Sequence, residues 1–332
     1  MDVRDHDAPP LRREPHDVGR LLTYNGVHDW HLGVVAAVLC AALVTVAEEG
    51  TVSRASERLR VSPSAISPAL TELERALKVQ LCVRREAHGV TLTASGTQLL
   101  RHARTLLRRA RELETELANP DGALSGLLSV GCFMGLAPVL LPKLLQGFGN
   151  RHPGVTIGFE EGDQTGLQQR LLAGKLDLVM LYDVSLSPEI RVVELTRMRP
   201  HVMLAADHRL AHEPVVALHD LADEPVVLLQ EPPSPDHSLG LCHEAGITPV
   251  VRYRARNGET ARALVGRGLG YAIIMQRPPN DRSYEGLCVV HKEIAELPDR
   301  DVPVVLGWPR RTCLTRRAEA FVRYSSETAT AG

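Results

Sequence analysis

The hydrophobic positions of this 332-residue chain change period three times, and each change marks a different kind of element. The first is a thirteen-residue run, Val34–Val46, broken only by small residues and Thr45. It is too short to span a bilayer and reads as a buried helix. A short helix is predicted over Ser53–Arg60 with Ser53 as its cap, then a tight turn at Val61. Ser62 is placed to cap a second helix whose first residue is Pro63, where a missing N–H costs nothing. In that helix Ile66, Leu70, Leu73 and Leu77 form one apolar stripe at helical spacing. Farther on, Leu99, Ala103, Leu106, Ala110, Leu113 and Leu117 recur at alternating steps of four and three, a heptad seam. The helix carrying them is predicted from Thr93 to about Leu117 and stops at Asn119-Pro120-Asp121-Gly122. Beyond Gly126 short apolar runs alternate with helical segments, which predicts open α/β sheets.

The face of the second helix away from its stripe carries Ser62, Pro63, Ser64, Ser67, Pro68, Thr71 and Arg75. Short polar side chains of this kind let a helix enter the major groove and meet base edges. A two-helix corner in any all-α domain gives the same pattern, so periodicity alone leaves DNA binding open. Charge distribution adds to it. Residues 50–117 hold twelve Lys/Arg against seven Asp/Glu, leaving 26 and 33 for the rest of a chain whose formal net charge is −2. The basic surplus therefore sits with the helix-turn-helix, where phosphate contacts require it. Because it is modest, salt-sensitive binding by a dimer with two such modules is expected.

Six cysteines (Cys40, Cys82, Cys132, Cys242, Cys288 and Cys313) form no CxxC pair, and the histidines show no ligand spacing, so neither a metal nor a cofactor is expected. Cys132 and Cys242 are the two considered for redox sensing, although nothing around them marks a lowered-pKa thiolate. No GxSxG, P-loop or HExxH motif is present, and the Gly266–Gly270 run follows a helix and precedes a strand, the reverse of a nucleotide-binding loop. No catalytic residue is assigned. Residues 1–28, rich in Asp, Arg, Pro and His, read as a disordered extension without a signal-peptide pattern, and a cytoplasmic protein away from membranes is expected.

The wording of the segment then adds what periodicity cannot. The run A-E-E-G-T-V-S-R-A-S-E-R-L-x-V-S-P-S-A-I-S, followed by L-T-x-L-E-x-x-L-x-V-x-L, R-R and V-T-L-T-A-S-G, resembles the N-terminal domain of LysR-type transcriptional regulators over about forty positions without a gap. The resemblance implies a winged helix-turn-helix over 29–92, with Pro63, Ser64, Ser67, Pro68 and Thr71 facing the groove. Arg84, Arg85 and His88 would lie on the wing near phosphates. It also implies a linker helix over 93–119 that pairs with its twin, in a homodimer or homotetramer. Two residues depart from the family: Pro68 stands where a polar or basic side chain is usual, and Cys82 where phenylalanine is. Proline there removes a hydrogen bond and crowds the Ser64 carbonyl, so a kink, rather than a late helix start at Ser67, is expected.

The remaining landmarks, among them G-L-L-S-V-G, H-P-G-V, L-L-A-G-K-L-D-L and L-V-G-R-G-L-G-Y-A-I-I, resemble the same family's effector domain. That implies a two-lobed α/β domain over 124–327, like type II periplasmic binding proteins. Lobe I would hold about 124–182 and 283–327, and lobe II about 183–282, with crossovers near Tyr182–Asp183 and Gln276–Ser283. A small-molecule effector, such as an organic anion, would lie between them against Met134, Gly135, Gln164, Thr165, Ser234, His237, Asn257 and Glu259. The N–H groups opening the helix at Gln164 and Thr165 would receive its carboxylate. The function implied is effector-controlled regulation of transcription through double-stranded DNA and RNA polymerase. The alternatives are an architectural DNA-binding protein without effector, or an α/β enzyme fused to a DNA-binding domain.

Overall fold

A computed structural model describes residues 32–85, 89–118, 122–297 and 300–330. The expected disordered extension at 1–28 and His88 of the wing lie outside them. The chain divides into two units, one ending at Ala110 and the other beginning at Arg111.

In the first unit the apolar run becomes helix α1, Leu32–Glu49, followed by α2, Val52–Leu59, and α3, Pro63–Leu77. Strands β1 (Cys82–Arg85) and β2 (Gly89–Leu92) form an antiparallel hairpin, and α4 (Ala94–Ala118) leaves it toward the second unit. Leu43, Val46, Ala55, Ile66, Leu70, Leu73, Leu81 and Cys82 make one core, so Cys82 is the small core residue its position suggested. Three sequence expectations change. Thr51, not Ser53, caps α2, accepting from Arg54 N. Leu77 ends the stripe 48% exposed, because the chain turns left-handed at Lys78 directly after it. Helix α3 starts at Pro63 and continues through Pro68, so the late start at Ser67 is not found and Pro68 lies within the helix, where the kink was expected.

The second unit contains two sheets. The first, in the order β4-β3-β5-β13-β6, comprises β3 (Gly126–Phe133), β4 (Val155–Gly162), β5 (Leu178–Tyr182), β6 (Ile190–Met198) and β13 (Val302–Pro309). Strand β3 runs parallel to β4 and β5, while β13 is antiparallel to β5 and β6. Helices α5 (Ala137–Arg151), α6 (Gln164–Leu172) and α9 (Arg316–Thr330) pack on it, and Phe148 meets Phe321 edge-on at 5.0 Å. The second sheet has the order β11-β7-β12-β8, with β7 (His201–Ala205), β8 (Val215–Val216), β11 (Ala272–Ile274) and β12 (Val289–Ile294). A parallel pair, β9 (Pro225–Leu229) and β10 (Val250–Ala255), joins it through a bridge between Val226 and Tyr271. Its two faces bury separate cores. One is built on Val202, Leu204, Leu241 and Tyr271. The other is built on Met203, Ala261, Val265 and Val289. Helices α7 (Ser234–Glu244) and α8 (Gly258–Gly266) cover the strands.

The crossovers differ from those expected. Strand β6 pairs with β13 and so belongs to the first lobe, which moves the first crossing from Tyr182–Asp183 to the Arg199–Pro200 link. Strand β12 stays with β7 in the second lobe, so the return lies between Ile294 and Val302 rather than at Gln276–Ser283. A polar, partly exposed strand such as β6 carries no sequence mark of which sheet it will join.

Candidate DNA interface and effector cleft

Ser62, Pro63, Ser64, Pro68, Thr71 and Arg75 all lie on the exposed face of α3, with Ser67 half-buried among them, while Ile66, Leu70 and Leu73 are buried behind. Several of these groups are already engaged. The Ser62 and Ser64 hydroxyls meet at 2.8 Å, and Thr71 Oγ1 donates to the Ser67 carbonyl at 3.0 Å. Arg75 holds Glu72 through two nitrogens, at 3.0 and 2.5 Å. Both partners are largely exposed, so exchanging that carboxylate for a DNA phosphate costs little. Pro68 carries no N–H for the Ser64 carbonyl, which leaves that acceptor facing the same surface.

The wing is held to this helix by a residue the sequence reading passed over. Glu74 Oε1 accepts from Leu81 N at 2.8 Å and Cys82 N at 2.9 Å, fixing the start of β1 to the end of α3. On the other strand, Val90 N donates to the Gly50 carbonyl at 2.8 Å. Arg84 and Arg85 stand on β1 at the far end of the hairpin, paired in register with Val90 and Gly89. The acidic pair of the A-E-E-G run also has work: Arg58 reaches Glu48 at 3.1 Å and Glu49 at 2.8 Å, and the buried Arg104 reaches Glu48 at 3.3 Å. That last contact fastens α4 to the first unit.

The seam of α4 divides accordingly. Ala103 is buried and Leu99 packs on the first unit's core, as a helix lying on its own domain would. Leu106, Leu113 and Leu117 are 43%, 57% and 76% exposed.

In the second unit the first lobe presents Met134 and Gly135, both half-buried, beyond the end of β3. A Cβ on Gly135 would lie 2.8 Å from Gln276 Nε2 and 2.9 Å from the Phe133 ring. Gly135 therefore makes room for an amide arriving after β11. Gln276 Nε2 then donates to Tyr182 Oη at 2.6 Å, linking the second lobe to the end of β5. Burial pushes the Tyr182 phenol up, so it stays neutral. The ring packs edge-on against Phe133 at 5.6 Å. Gln276 and Tyr182 were expected only as crossover points; a polar side chain near a strand end gives no sign of meeting another from a distant strand. Replacing Tyr182 with Phe is expected to cost about 1 kcal/mol, measured as a small fall in the melting temperature of the full chain. An unchanged melting temperature would show that the lobes do not depend on this bond.

Gln164 is placed differently from expectation. Its side chain is buried, with Oε1 accepting from Tyr182 N at 3.2 Å and Nε2 donating to the carbonyls of Tyr182, at 3.1 Å, and Val184. The start of α6 is further occupied by Asp163, whose carboxylate accepts from Gly166 N at 2.8 Å and places a negative charge where a ligand carboxylate was expected. Thr165 is exposed. In the second lobe Asn257 caps α8 by accepting from Thr260 N at 2.8 Å, and Glu259 faces Arg262 at 3.4 Å. Ser234 opens α7 half-buried. His237 feels Arg300 and Glu244, and burial followed by Arg300 lowers its pKa. Glu244 lies two turns along the same helix. A separate groove, lined by Glu112, Thr115, Leu124, Ser125, Arg316 and Arg317, lies where Glu112 Oε1 accepts from Arg316 N at 2.6 Å, away from the cleft.

Comparison with known proteins decides the family. Residues 39–97 match the model of the bacterial regulatory helix-turn-helix protein, lysR family, and residues 121–330 match the LysR substrate binding domain. The chain belongs to the LysR family of transcriptional regulators. It is 31% identical to the DNA-binding transcriptional dual regulator OxyR of Escherichia coli, over 84% of this chain and 92% of that one. Among solved structures, the C-terminal domain of a probable LysR family regulator from Rhodococcus sp. RHA1 is 45% identical, covering 61% of this chain and 100% of that one, with a TM-score of 0.60. HinK, a LysR family regulator from Pseudomonas aeruginosa, is 34% identical over 88% and 98% of the two chains, with a TM-score of 0.59. This LysR-type regulator thus combines a DNA-binding helix-turn-helix with an effector-binding domain, and its relatives regulate transcription rather than catalyse reactions. No helix among the described residues is long and apolar enough to cross a membrane.

Proposed function

We propose that this regulator binds operator DNA as a cytoplasmic homodimer or tetramer of dimers and is switched by a small molecule taken between the two lobes. The observation that carries the DNA half is the exposed polar face of α3 beside a wing tied to both ends of the helix-turn-helix. Dimerisation is supported by Leu106, Leu113 and Leu117, which keep heptad spacing along α4 while remaining exposed. A dimer sets two recognition helices at a fixed separation and so selects half-site spacing. The winged domain is read as ending near residue 92 and the effector domain as beginning near 124. The switch acts by differential affinity of the ligand for two lobe arrangements, altering DNA bend and contact with RNA polymerase.

The effector chemistry is narrowed by what the cleft residues already do. With Gln164 spent and Asp163 at the start of α6, recognition falls to the Met134–Gly135 turn, Thr165 and the Gln276–Tyr182 pair. Several relatives are named hydrogen peroxide-inducible genes activators, but three buried thiols here do not suit that signal. Burial raises the pKa of Cys40, Cys132 and Cys242. A peroxide-reactive thiol needs the opposite shift.

Charge reversal of Arg84 and Arg85 together is expected to weaken binding to all DNA sequences alike, by about tenfold or more at moderate salt, and to flatten the salt dependence. Substitution of Ser64 or Arg75 is expected to change sequence preference instead. Gel retardation at several salt concentrations separates the two. Equal effects on specific and non-specific DNA from both sets would overturn this division of roles.

A further inference from the structure

The second lobe holds a group of buried polar side chains that neither DNA binding nor the cleft uses. His201 opens β7 directly after the Arg199–Pro200 crossover, and His291 lies on β12 opposite Met203 in register. Residues opposite one another in such pairs share a face, so both rings project toward α8, and they meet edge-on with centroids 4.8 Å apart. Arg262 of α8 completes the group. His201 and Arg262 are only 6% and 3% exposed. His201 Nδ1 donates to the Arg199 carbonyl at 3.3 Å, and Arg262 Nη1 to the Asn280 carbonyl at 2.7 Å. Among the described residues, His201 Nε2 and both ring nitrogens of His291 are buried without a hydrogen-bond partner, while Arg262 Nε faces Glu259 Oε1 at 3.4 Å. Three such atoms on two touching rings are costly unless something meets them.

The charges around the group decide what can do so. From α8 come Arg262 and, 3.4 Å from it, Glu259, which is partly exposed. From the segment after β11 comes Arg277, which acts on both histidines. Glu293, opposite His201 on β12, is exposed. Positive charge therefore dominates. Burial, with Arg262 and Arg277 adding to it, lowers His201 to about 4; burial, then His201 and the two arginines, lowers His291 to about 3. Both rings are neutral at pH 7. Since Nδ1 of His201 carries its proton, Nε2 can donate only after a second proton arrives. No group of three or more His, Cys, Asp or Glu placed for a metal occurs among the described residues.

We infer that this group is a binding site for a small inorganic anion such as chloride, taken up together with a proton by the histidine pair. The anion receives His201 Nε2–H and a His291 N–H beside the Arg262 guanidinium, and its charge offsets the imidazolium formed. The site lies beside both Arg199 and Gln276, at the end of the lobe where the chain crosses over. Uptake therefore makes lobe II respond to acid and salt even with no ligand in the cleft.

Linkage gives the sign. Histidines held below their ordinary pKa contribute stability that is present above about pH 6.5 and is lost as pH falls toward their folded values. An anion that raises those folded values restores it. Calorimetry of the full chain at pH 5.5 is expected to show melting about 3–6 °C higher in sodium chloride than in sodium gluconate of equal ionic strength, the shift for a ligand at tenfold its Kd. Gluconate is too large to enter. The increment is expected to vanish at pH 7.5, and to be lost in His201→Gln and His291→Gln. Equal melting in the two salts, or an increment kept by both variants, overturns the site. The wild type gives a second reading that needs no variant: chlorine NMR linewidth rises with protein as pH falls if chloride binds, and a linewidth that is independent of pH rejects binding.

Discussion

Replacing Gly96 with Ala is expected to unfold the winged domain and abolish operator binding. The methyl carbon would lie 2.0 Å from the Leu81 carbonyl oxygen and 3.0 Å from its carbon, both backbone atoms that cannot swing aside. The surrounding contacts resist any shift. Thr93 N donates to that same carbonyl at 2.9 Å, Thr93 Oγ1 bonds the Gln80 carbonyl at 2.7 Å, and Gly96 N returns to Thr93 Oγ1 at 3.0 Å. Opening this joint separates the start of α4 from β1. A loss of about 3 kcal/mol or more is expected, which for a unit of this size lowers melting by more than about 10 °C. Circular dichroism melting and gel retardation check it. A variant melting near the wild type would mean the helix start can slide. The T-A-S-G motif that helped to identify the family thus marks a packing joint rather than a DNA contact.

The second large effect concerns Gln164. Its replacement by Leu removes three hydrogen bonds and leaves Tyr182 N and the Val184 carbonyl without their side-chain partner between α6 and β5. Unsatisfied buried backbone groups cost about 1–3 kcal/mol each, so a loss of about 3 kcal/mol is expected, with melting of the second unit lowered by about 6–12 °C. The neighbouring Thr165→Ala, at an exposed position, is expected to change melting little while altering the response to any effector at the start of α6. If Gln164→Leu melts like the wild type and only ligand response suffers, the residue is a binding group after all. The two variants together keep loss of binding distinct from loss of fold.

Much of the architecture could be read from spacing. The stripe Ile66–Leu70–Leu73 became core, the region beyond Gly126 formed alternating strands and helices, and Val34–Val46 became a helix. What the sequence hid falls into two kinds. Pairing between strands far apart in the chain is one. β6 joins β13 more than a hundred residues later, so both crossovers were misplaced. The other is the use to which a polar group is put. Gln164 looks like a group free to meet a ligand, yet it, Asp163 and Glu74 are each spent on backbone N–H or C=O groups that only the fold brings near. Pro68 shows the reverse. It does not delay the helix, because a helix already anchored by Ile66 and Leu70 below tolerates one missing hydrogen bond on its exposed side.

The Gln276 amide occupies the space above Gly135 while holding Tyr182. An effector that reaches this turn must therefore displace a resident competitor supplied by the protein itself, present at a fixed and high local concentration. Every affinity measured for such a molecule is net of that contest. Ligands that fill the cleft without evicting the amide can bind tightly and yet leave transcription unchanged.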